Sequence, residues 1–341
     1  MHIMRKAGKS LLTTWLRVFL ATGIILGCWR CAIGKSLFTA SVRPASQVIV
    51  IPFEYASGHI FLHLQLDDAG MNVIMLDTGF ISNEKTILVD FSVVGRLRLS
   101  KGEKLDMTGM GMNDIQARKI HDVDVHLDED VVMSSSADAT NLSPLRQALV
   151  HPLDGIIGFA FFRDYVTEID YIHDRLLLYR PTHYRYRGDG LQIPMQRLQP
   201  VIQVKVVLPD GKERWTHLLI DTGSDSQLVF YHEFIERYGR SLTSPDLLQI
   251  TYVGLGGTYT CDVVQLRNIQ LGNDALGYSL MFNAPYADLV RMAGGASGKS
   301  RLDGHMGNSL LHRAKVIFDP SRRRFILEPA RETVLTKVAV N

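Results

Sequence analysis

Cysteine is scarce in this 341-residue chain, which has three: Cys28, Cys31 and Cys261. The first two stand in or beside an N-terminal leader, and the third is alone in the rest of the chain. A framework of disulfide bonds is therefore excluded, and the fold must be held by its apolar core. Cys28 and Cys31 also have the spacing of a redox or metal-binding pair. We assign them no such role, because no second pair and no strand–helix pattern accompanies them.

Signatures of metal binding and nucleic-acid binding are lacking as well. The chain has no His-Glu-x-x-His, and its 12 histidines show no spacing typical of metal ligands. Its 37 Lys and Arg residues against 35 Asp and Glu residues give a net charge of +2, and the basic residues are scattered. Nucleic-acid binding requires a basic stripe or patch. We therefore predict no metal, no cofactor and no nucleic-acid partner.

No apolar run near the N-terminus is long enough to be a comfortable membrane span. Residues 18–27 are apolar and follow four basic residues, which is the pattern of a signal-peptide core. The stretch from Ile25 to Cys28 resembles the lipoprotein box of bacteria, although Leu26 stands where a smaller residue is usual. We predict export, to the periplasm if the source is bacterial. Lipidation at Cys28, simple cleavage and an uncleaved membrane anchor remain alternatives.

The chain does contain a repeated word. Apolar residues lead into Asp77-Thr78-Gly79 and again into Asp221-Thr222-Gly223. A glycine-rich word follows each aspartate, at Gly109 after 32 residues and at Gly254 after 33. An Asp-Gly-x-x-Gly word comes later in each half, starting 77 residues after the first aspartate and 82 residues after the second. Three words in one order at similar spacing indicate an internal duplication.

With these motifs the chain resembles the two-lobed aspartic peptidases, specifically a fused, bacterial retropepsin-like form of the pepsin-like fold. The resemblance extends over about residues 47–329. It continues at Gly158 to Tyr171 and at Asn308 to Asp319, which look like the closing helix and strand of each lobe in that family. It implies a mostly β protein, with two homologous sheet-rich lobes, a cleft between them and few short helices.

The expected domains follow from this repeat and from the composition, since 46% hydrophobic residues can supply two cores. They are a signal-peptide or lipoprotein leader at 1–28, a tether at 29–46, an N-terminal lobe at 47–187, a C-terminal lobe at 188–330 and a tail at 331–341. Basic and aromatic residues alternate from Tyr184 to Arg187 in the linker, which we interpret as a solvated connector rather than a nucleic-acid surface.

Local patterns predict short strands and a few helices. Strands at 60–66, 71–76, 201–208 and 215–220 deliver the two aspartates after turns at 67–70 and 209–212. Helices are predicted at 231–238, 144–150, 158–165 and 285–292. The last lies in an insertion at 284–300 without a counterpart in the first half, which either decorates the rim of the cleft or is merely tolerated there.

The resemblance implies that Asp77 and Asp221 form a catalytic dyad. Two carboxyl groups that face each other cannot both ionise cheaply, so they hold one proton between them and can activate a water molecule. In the family, the threonine hydroxyl groups bond across the lobe interface and the glycines expose backbone N–H groups to the carboxylates. These supporting residues are Thr78, Gly79, Thr222, Gly223 and Ser224. A polypeptide in extended conformation is the expected substrate, and one chain suffices for catalysis.

The glycine-rich words are predicted to be hairpin tips that fold over the cleft as flaps and bind substrate, with an ordinary surface hairpin as the alternative. The residues are Gly109, Met110, Gly111, Gly254, Leu255, Gly256 and Gly257. Asp154 and Asp303, in the Asp-Gly-x-x-Gly words, are predicted to be structural.

Two positions depart from the pattern of the family. Phe80 stands where the second half has Ser224, and His305 stands where the first half has Ile156. Phe80 can only pack, whereas His305 brings an ionisable group toward Asp221. Neither departure removes a catalytic group, so the predicted function is an exported aspartic endopeptidase. The alternatives are a catalytically silent peptide-binding protein that keeps the fold, and a membrane-tethered structural protein.

Overall fold

The computed structural model describes residues 16–18, 48–82, 84–100, 102–111, 113–196, 199–242, 247–273, 278–283, 286–291, 302–329 and 336–337. Strands predominate among them and the helices are short, which confirms the predicted mostly β class. The predicted tether, and the predicted leader and tail apart from residues 16–18 and 336–337, lie outside the described residues. Over the described part of the chain, no helix combines the length and the apolar character that crossing a membrane requires.

Some strands of the first half bury one face, whereas others bury both. In β2 (Val48–Ala56), for example, Ile49, Ile51 and Phe53 are buried whereas Val50, Pro52 and Glu54 are exposed, because successive side chains of a strand point to opposite faces. The strands are β1 (Leu16–Val18), β2 (Val48–Ala56), β3 (His59–Leu66), β4 (Met71–Leu76), β5 (Thr86–Asp90), β6 (Lys104–Met107), β7 (Ile115–Asp128), β8 (Val131–Thr140), β9 (Gly155–Ile157), β10 (Val166–Asp170) and β11 (Arg175–Tyr179). The helices are α1 (Phe91–Arg96) and α2 (Ser143–Leu149), with short 3-10 helices at Phe159–Phe162 and Pro181–His183.

The second half has a similar series of elements. Its strands are β12 (Leu191–Pro194), β13 (Val201–Val207), β14 (Glu213–Asp221), β15 (Leu228–Phe230), β16 (Leu248–Gly254), β17 (Gly257–Gln265), β18 (Asn268–Asn273), β19 (Tyr278–Asn283), β20 (Tyr286–Leu289), β21 (Gly304–Gly307), β22 (Ala314–Asp319), β23 (Arg324–Pro329) and β24 (Thr336–Lys337). Its helices are α3 (His232–Leu242) and α4 (Asn308–Leu311), and a 3-10 helix follows at Pro320–Arg322.

The two halves repeat one order of strands. In the first, β3, β4, β9, β5, β8 and β7 are neighbours in that order, and β7 returns to β3 to close a six-stranded barrel. In the second, β13, β14, β21, β15, β20 and β17 follow the same order. Each corresponding pair also has the same direction, parallel for β4–β9 and β14–β21, for example, and antiparallel for β5–β9 and β15–β21. The hairpin partner of the last strand, β6 or β16, extends each set.

A central sheet joins the two halves in the order β12, β23, β22, β10, β11 and β2. Its middle pair is β10 and β22, one strand from each half, which run antiparallel with Glu168 opposite Ile317. Both strands follow a short helical segment, as predicted: the 3-10 helix at Phe159–Phe162 and α4. The predicted helix at 144–150 is also confirmed, as α2. The helix predicted at 231–238 is α3, which continues past Gly239 and buries Leu242.

The predicted helix at 285–292 is wrong, since residues 286–289 form β20. This strand pairs with β15 on one side and β17 on the other, and this pairing buries Ala287, Asp288 and Leu289. The segment is therefore not without a counterpart, because β20 has the position that β8 has in the first half. Backbone hydrogen bonds on both sides favour a strand over an isolated short helix. Residues 292–300 of the predicted insertion lie outside the described residues.

The linker between the halves is only partly the solvated connector that was predicted. Arg185 and Arg187 are exposed, but Tyr184 is buried in an apolar cluster with Val166, Ile317 and Ile326. Tyr186 is packed against the same cluster and donates a hydrogen bond from its hydroxyl group to Glu328 (3.1 Å). The tyrosines therefore fasten the linker to the central sheet, and burial of their rings outweighs solvation of the segment.

Candidate active site

Asp77 and Asp221 stand at the ends of equivalent strands, β4 and β14. Each strand lies beside a parallel neighbour, β9 or β21, which comes from the Asp-Gly-x-x-Gly word of the same half. The backbone N–H of Asp77 donates to the carbonyl oxygen of Ile157 (2.9 Å), which fixes the start of the loop. Both aspartate side chains are fully buried. The sheet of each half thus delivers one carboxyl group to the interface between the halves.

The structure brings these two carboxyl groups together. A Cβ atom on Gly79 would overlap the carboxyl group of Asp221, and one on Gly223 would overlap that of Asp77. Only glycine leaves room for this crossed contact. The Oδ1 atom of Asp77 accepts a hydrogen bond from the backbone N–H of Phe80, and the Oδ1 atom of Asp221 accepts one from that of Gly223, both at 2.9 Å.

The electrostatics of the pair follow from burial and proximity. Burial raises the pKa of Asp77 well above its usual range, and the neighbouring carboxyl group of Asp221 raises it further. Burial also raises the pKa of Asp221, but hydrogen bonds from Asp77 and from the N–H groups of Gly223 and Gly79 oppose this effect. The pair therefore holds one proton over a wide pH range.

The two threonines bind the halves to each other. The backbone N–H of Thr78 donates to Oγ1 of Thr222, and that of Thr222 donates to Oγ1 of Thr78, both at 3.0 Å. Each hydroxyl group then donates across the interface, from Thr78 to the carbonyl oxygen of Ile220 (2.7 Å) and from Thr222 to that of Leu76 (2.9 Å). This buried set of four hydrogen bonds holds the two Asp-Thr-Gly loops in one relative position.

The surroundings of the two aspartates differ. Next to Asp221, Nε2 of His305 lies 3.0 Å from Oγ of Ser224 and 3.9 Å from Oδ2 of the aspartate. Nδ1 of His305 lies 2.9 Å from the hydroxyl group of Tyr231. Burial lowers the pKa of His305 to about 3, so the imidazole is neutral. In the first half, Phe80 and Ile156 stand in place of Ser224 and His305 and belong to one apolar cluster.

Asp154 and Asp303 hold equivalent structural positions. Each accepts a hydrogen bond from a backbone N–H of the aspartate-bearing strand of its half, that of Val73 in β4 (3.0 Å) or that of His217 in β14 (2.8 Å). Each is also paired with an arginine of the adjacent helix, Arg96 of α1 for Asp154 and Arg237 of α3 for Asp303. These bonds agree with the predicted structural role.

The glycine-rich words are hairpin loops, as predicted, and they touch each other. We call residues 108–111, between β6 and β7, the first glycine loop and residues 254–257, between β16 and β17, the second. The backbone N–H of Gly256 donates to the carbonyl oxygen of Met110, and the carbonyl oxygen of Gly256 accepts from Asn113, both at 2.8 Å. A Cβ atom on Gly254 would overlap the carbonyl oxygen of Met110, so the loops approach backbone to backbone.

Each glycine loop also places an apolar side chain in the opposite half. Met110 is buried in a cluster with Val229, Tyr252 and Tyr259 of the second half. From the second half, Val253 is buried in the cluster around Phe80, and Leu255 packs against that cluster. The remaining predicted loop residues, Gly109, Gly111 and Gly257, lie at this crossing or next to it, and Gly111 pairs with Gly256 in a parallel bridge.

The sequence matches no family model and no curated protein. Within the part of the chain that the structure describes, no group of three His, Cys, Asp or Glu residues could hold a metal ion.

Sequence reasoning missed two residues of this site. Tyr231, the partner of His305, was assigned only to a helix start. Asn308 donates from Nδ2 to the carbonyl oxygens of Thr222 (2.6 Å) and Gly58 (2.9 Å), so it supports the second Asp-Thr-Gly loop. The sequence does indicate Asn308, because this polar residue follows Gly307 at the position where the first half has the apolar Phe159 after Gly158. Nothing in the sequence places Tyr231 beside His305.

Proposed function

We propose that the protein is an aspartic endopeptidase of the two-lobed, pepsin-like kind, which hydrolyses peptide bonds with Asp77 and Asp221. The observation that carries this proposal is the crossed contact of two buried carboxyl groups, each raised in pKa and each presented by the same loop sequence. Structural ion pairs keep carboxylates beside cations, whereas here each acid faces another acid. The repeated strand order supports two lobes, one for each aspartate.

The reaction would start from a water molecule held between the carboxyl groups. Oδ2 of Asp77 and Oδ2 of Asp221 are buried, and among the described residues neither has a hydrogen-bond partner. Ionised Asp221 takes a proton from the water while the water oxygen attacks the scissile carbonyl carbon. At the same time, protonated Asp77 donates its proton to the carbonyl oxygen. Collapse of the tetrahedral intermediate returns a proton to the departing amine and regenerates the singly protonated pair.

The glycine loops would cover an extended polypeptide substrate in this proposal. Their glycines permit close backbone approach, and an extended peptide can add strand-like hydrogen bonds to such loops. Export, with the apolar leader or a lipid on Cys28 as the only membrane attachment, is part of the same proposal and rests on residues 18–28 of the sequence.

Hydrolysis of casein and of a mixed peptide pool across pH tests the function. Asp77→Asn and Asp221→Asn should each lower kcat/KM by at least about 100-fold, because each removes the acid–base group of one half. Asp68→Asn, in an exposed turn, is the matched control and should cleave at the native rate. Cleavage that survives both dyad substitutions would overturn the assignment.

A catalytically silent peptide-binding protein is the second candidate. The observation that favours it is the apolar setting of Asp77, where Phe80 packs instead of offering a hydroxyl group. A native chain that binds peptides from the pool without cleaving any, between pH 3 and pH 8, would support this candidate over the first.

A further inference from the structure

We propose that His305 is a positioning residue that makes Asp221, rather than Asp77, the ionised member of the pair; this inference rests on the proposed function. His305 comes from β21, where it lies opposite Leu219 of β14 on one side and Val229 of β15 on the other. That register directs its imidazole toward Ser224 and Asp221 on one edge and toward Tyr231 on the other.

The hydrogen bond to Tyr231 selects the tautomer of His305. A neutral imidazole has one N–H donor and one acceptor nitrogen, and the partner of one nitrogen decides the role of the other. A phenol is a stronger acid than a neutral imidazole N–H, so Tyr231 donates to Nδ1 and the proton of the ring stays on Nε2. The Nε2–H then points to Oγ of Ser224 and lies 3.9 Å from Oδ2 of Asp221.

A donor at this place stabilises negative charge on Asp221. The Nε2–H dipole of His305 lies near Oδ2 of Asp221 inside a buried site, where the field of a dipole is weakly screened. In the first half, the equivalent strand position is Ile156, opposite Met75 and Leu88, and it offers Asp77 no donor. Asp221 therefore has a polar neighbour, His305, whereas the equivalent position in the half of Asp77 is the apolar Ile156.

Few other ionisable groups act on this arrangement. Asp77 faces Asp221 from the other half. Tyr231 comes from the segment that joins β15 to α3, and the charge of Glu233, in the first turn of α3, acts on Tyr231. His59, at the start of β3, lies beside the backbone of Gly223 and is neutral as well, since burial lowers its pKa to about 4. Within the described residues, no Lys or Arg is paired with either aspartate of the dyad, so the difference between the two acids has to come from neutral groups.

Two spectroscopic measurements on the full chain test the proposal whether or not the protein cleaves peptides. Nitrogen-15 shifts of the imidazole should show a neutral ring protonated at Nε2 from pH 4 to pH 8. Carbon-13 shifts of the aspartate carboxyl groups, assigned with Asp77→Asn and Asp221→Asn, should show that Asp221 ionises first. Tyr231→Phe removes the donor to Nδ1 and should raise the pH at which Asp221 ionises by about one unit.

Activity supplies the third measurement. In Tyr231→Phe and in His305→Leu, which copies the apolar first half, the acid limb of the kcat/KM profile should move to higher pH by about one unit while the alkaline limb stays. Tyr184→Phe is the control, because this buried tyrosine lies in a separate apolar cluster.

An Nδ1–H tautomer, first ionisation at Asp77, or an equal shift in Tyr184→Phe would overturn the proposal. If His305→Leu fails to fold, Tyr231→Phe and the native spectra decide. A native chain with the expected spectra and no cleavage would instead reject the proposed function alone.

Discussion

At the scale of single residues, the threonines of the two Asp-Thr-Gly loops hydrogen-bond the halves to each other. Each hydroxyl group accepts one hydrogen bond at its oxygen and donates another from its O–H, and all four bonds are buried. Serine could make the same bonds, but valine, which has nearly the same shape as threonine, could make none. Loss of the hydroxyl group therefore leaves buried backbone groups without partners, which costs more than the bond itself contributed.

Thr78→Val should accordingly lower the free energy of unfolding by about 2–4 kcal/mol, because the N–H of Thr222 and the carbonyl of Ile220 both lose their partner. Thr78→Ser, the matched control, should lose about 1 kcal/mol, since it loses only a methyl group. Urea unfolding followed by fluorescence measures both. Equal stability of the two variants would contradict the importance of the hydroxyl group.

At the scale of elements, the two glycine loops depend on each other. The first loop delivers Met110 to a cluster of the second half, and strand β16, which leads into the second loop, delivers Val253 to a cluster of the first. Burying a methionine or a valine contributes about 1.5–3 kcal/mol, so the crossing is a stable contact rather than a transient one.

Met110→Ala should therefore loosen the second glycine loop, although the substitution lies in the first. Hydrogen exchange of the backbone amides in β16 and β17, next to Tyr252 and Tyr259, should become at least about tenfold faster, because truncation of a buried methionine costs about 2–5 kcal/mol of local packing. Met71→Ala, at an exposed methionine in β4, should change nothing there. Protection that is unchanged in Met110→Ala would show that the side chain does not hold the crossing.

The elements also show how far the sequence could be interpreted. Strands β3, β4, β13 and β14 were predictable because apolar residues alternate on both sides of an Asp-Gly or Asp-Ala-Gly turn. Strand β20 was not, because Tyr286 to Leu289 is short and apolar enough for either a helix or a strand, and only its two neighbouring strands decide. The meeting of Asp77 and Asp221 was predictable from the repeated word. The hydrogen bond from Tyr231 to His305 was not, because it depends on how a strand and the start of a helix meet in space.

At the scale of the whole molecule, the raised pKa values of the dyad make stability depend on pH. The unfolded chain would release these protons near pH 3.9, whereas the native pair retains one well above that value. A group whose pKa is raised by folding contributes stability below its unfolded pKa, and this contribution is lost as the pH rises toward the native value. The pair therefore opposes folding at neutral pH.

Asp77→Asn should on this basis be more stable than the native chain at pH 8, by about 1–3 kcal/mol, with little difference at pH 4. Urea unfolding of both proteins at the two pH values measures the effect. Asp90, Asp170 and Asp319, whose pKa values are lowered by hydrogen bonds and cations, act in the opposite direction but equally in both proteins. Asp68→Asn is the control, and a gain that is the same at both pH values would contradict the expectation.

The linker is not what keeps the two halves of the molecule together. The β10–β22 pair joins them at the centre, the threonine bonds join them beside the aspartates, and the glycine loops join them again by crossing. A single cut at the exposed peptide bond between Arg187 and Gly188 would sever the covalent connection and leave all three attachments in place. The two fragments should then stay associated and migrate as one particle.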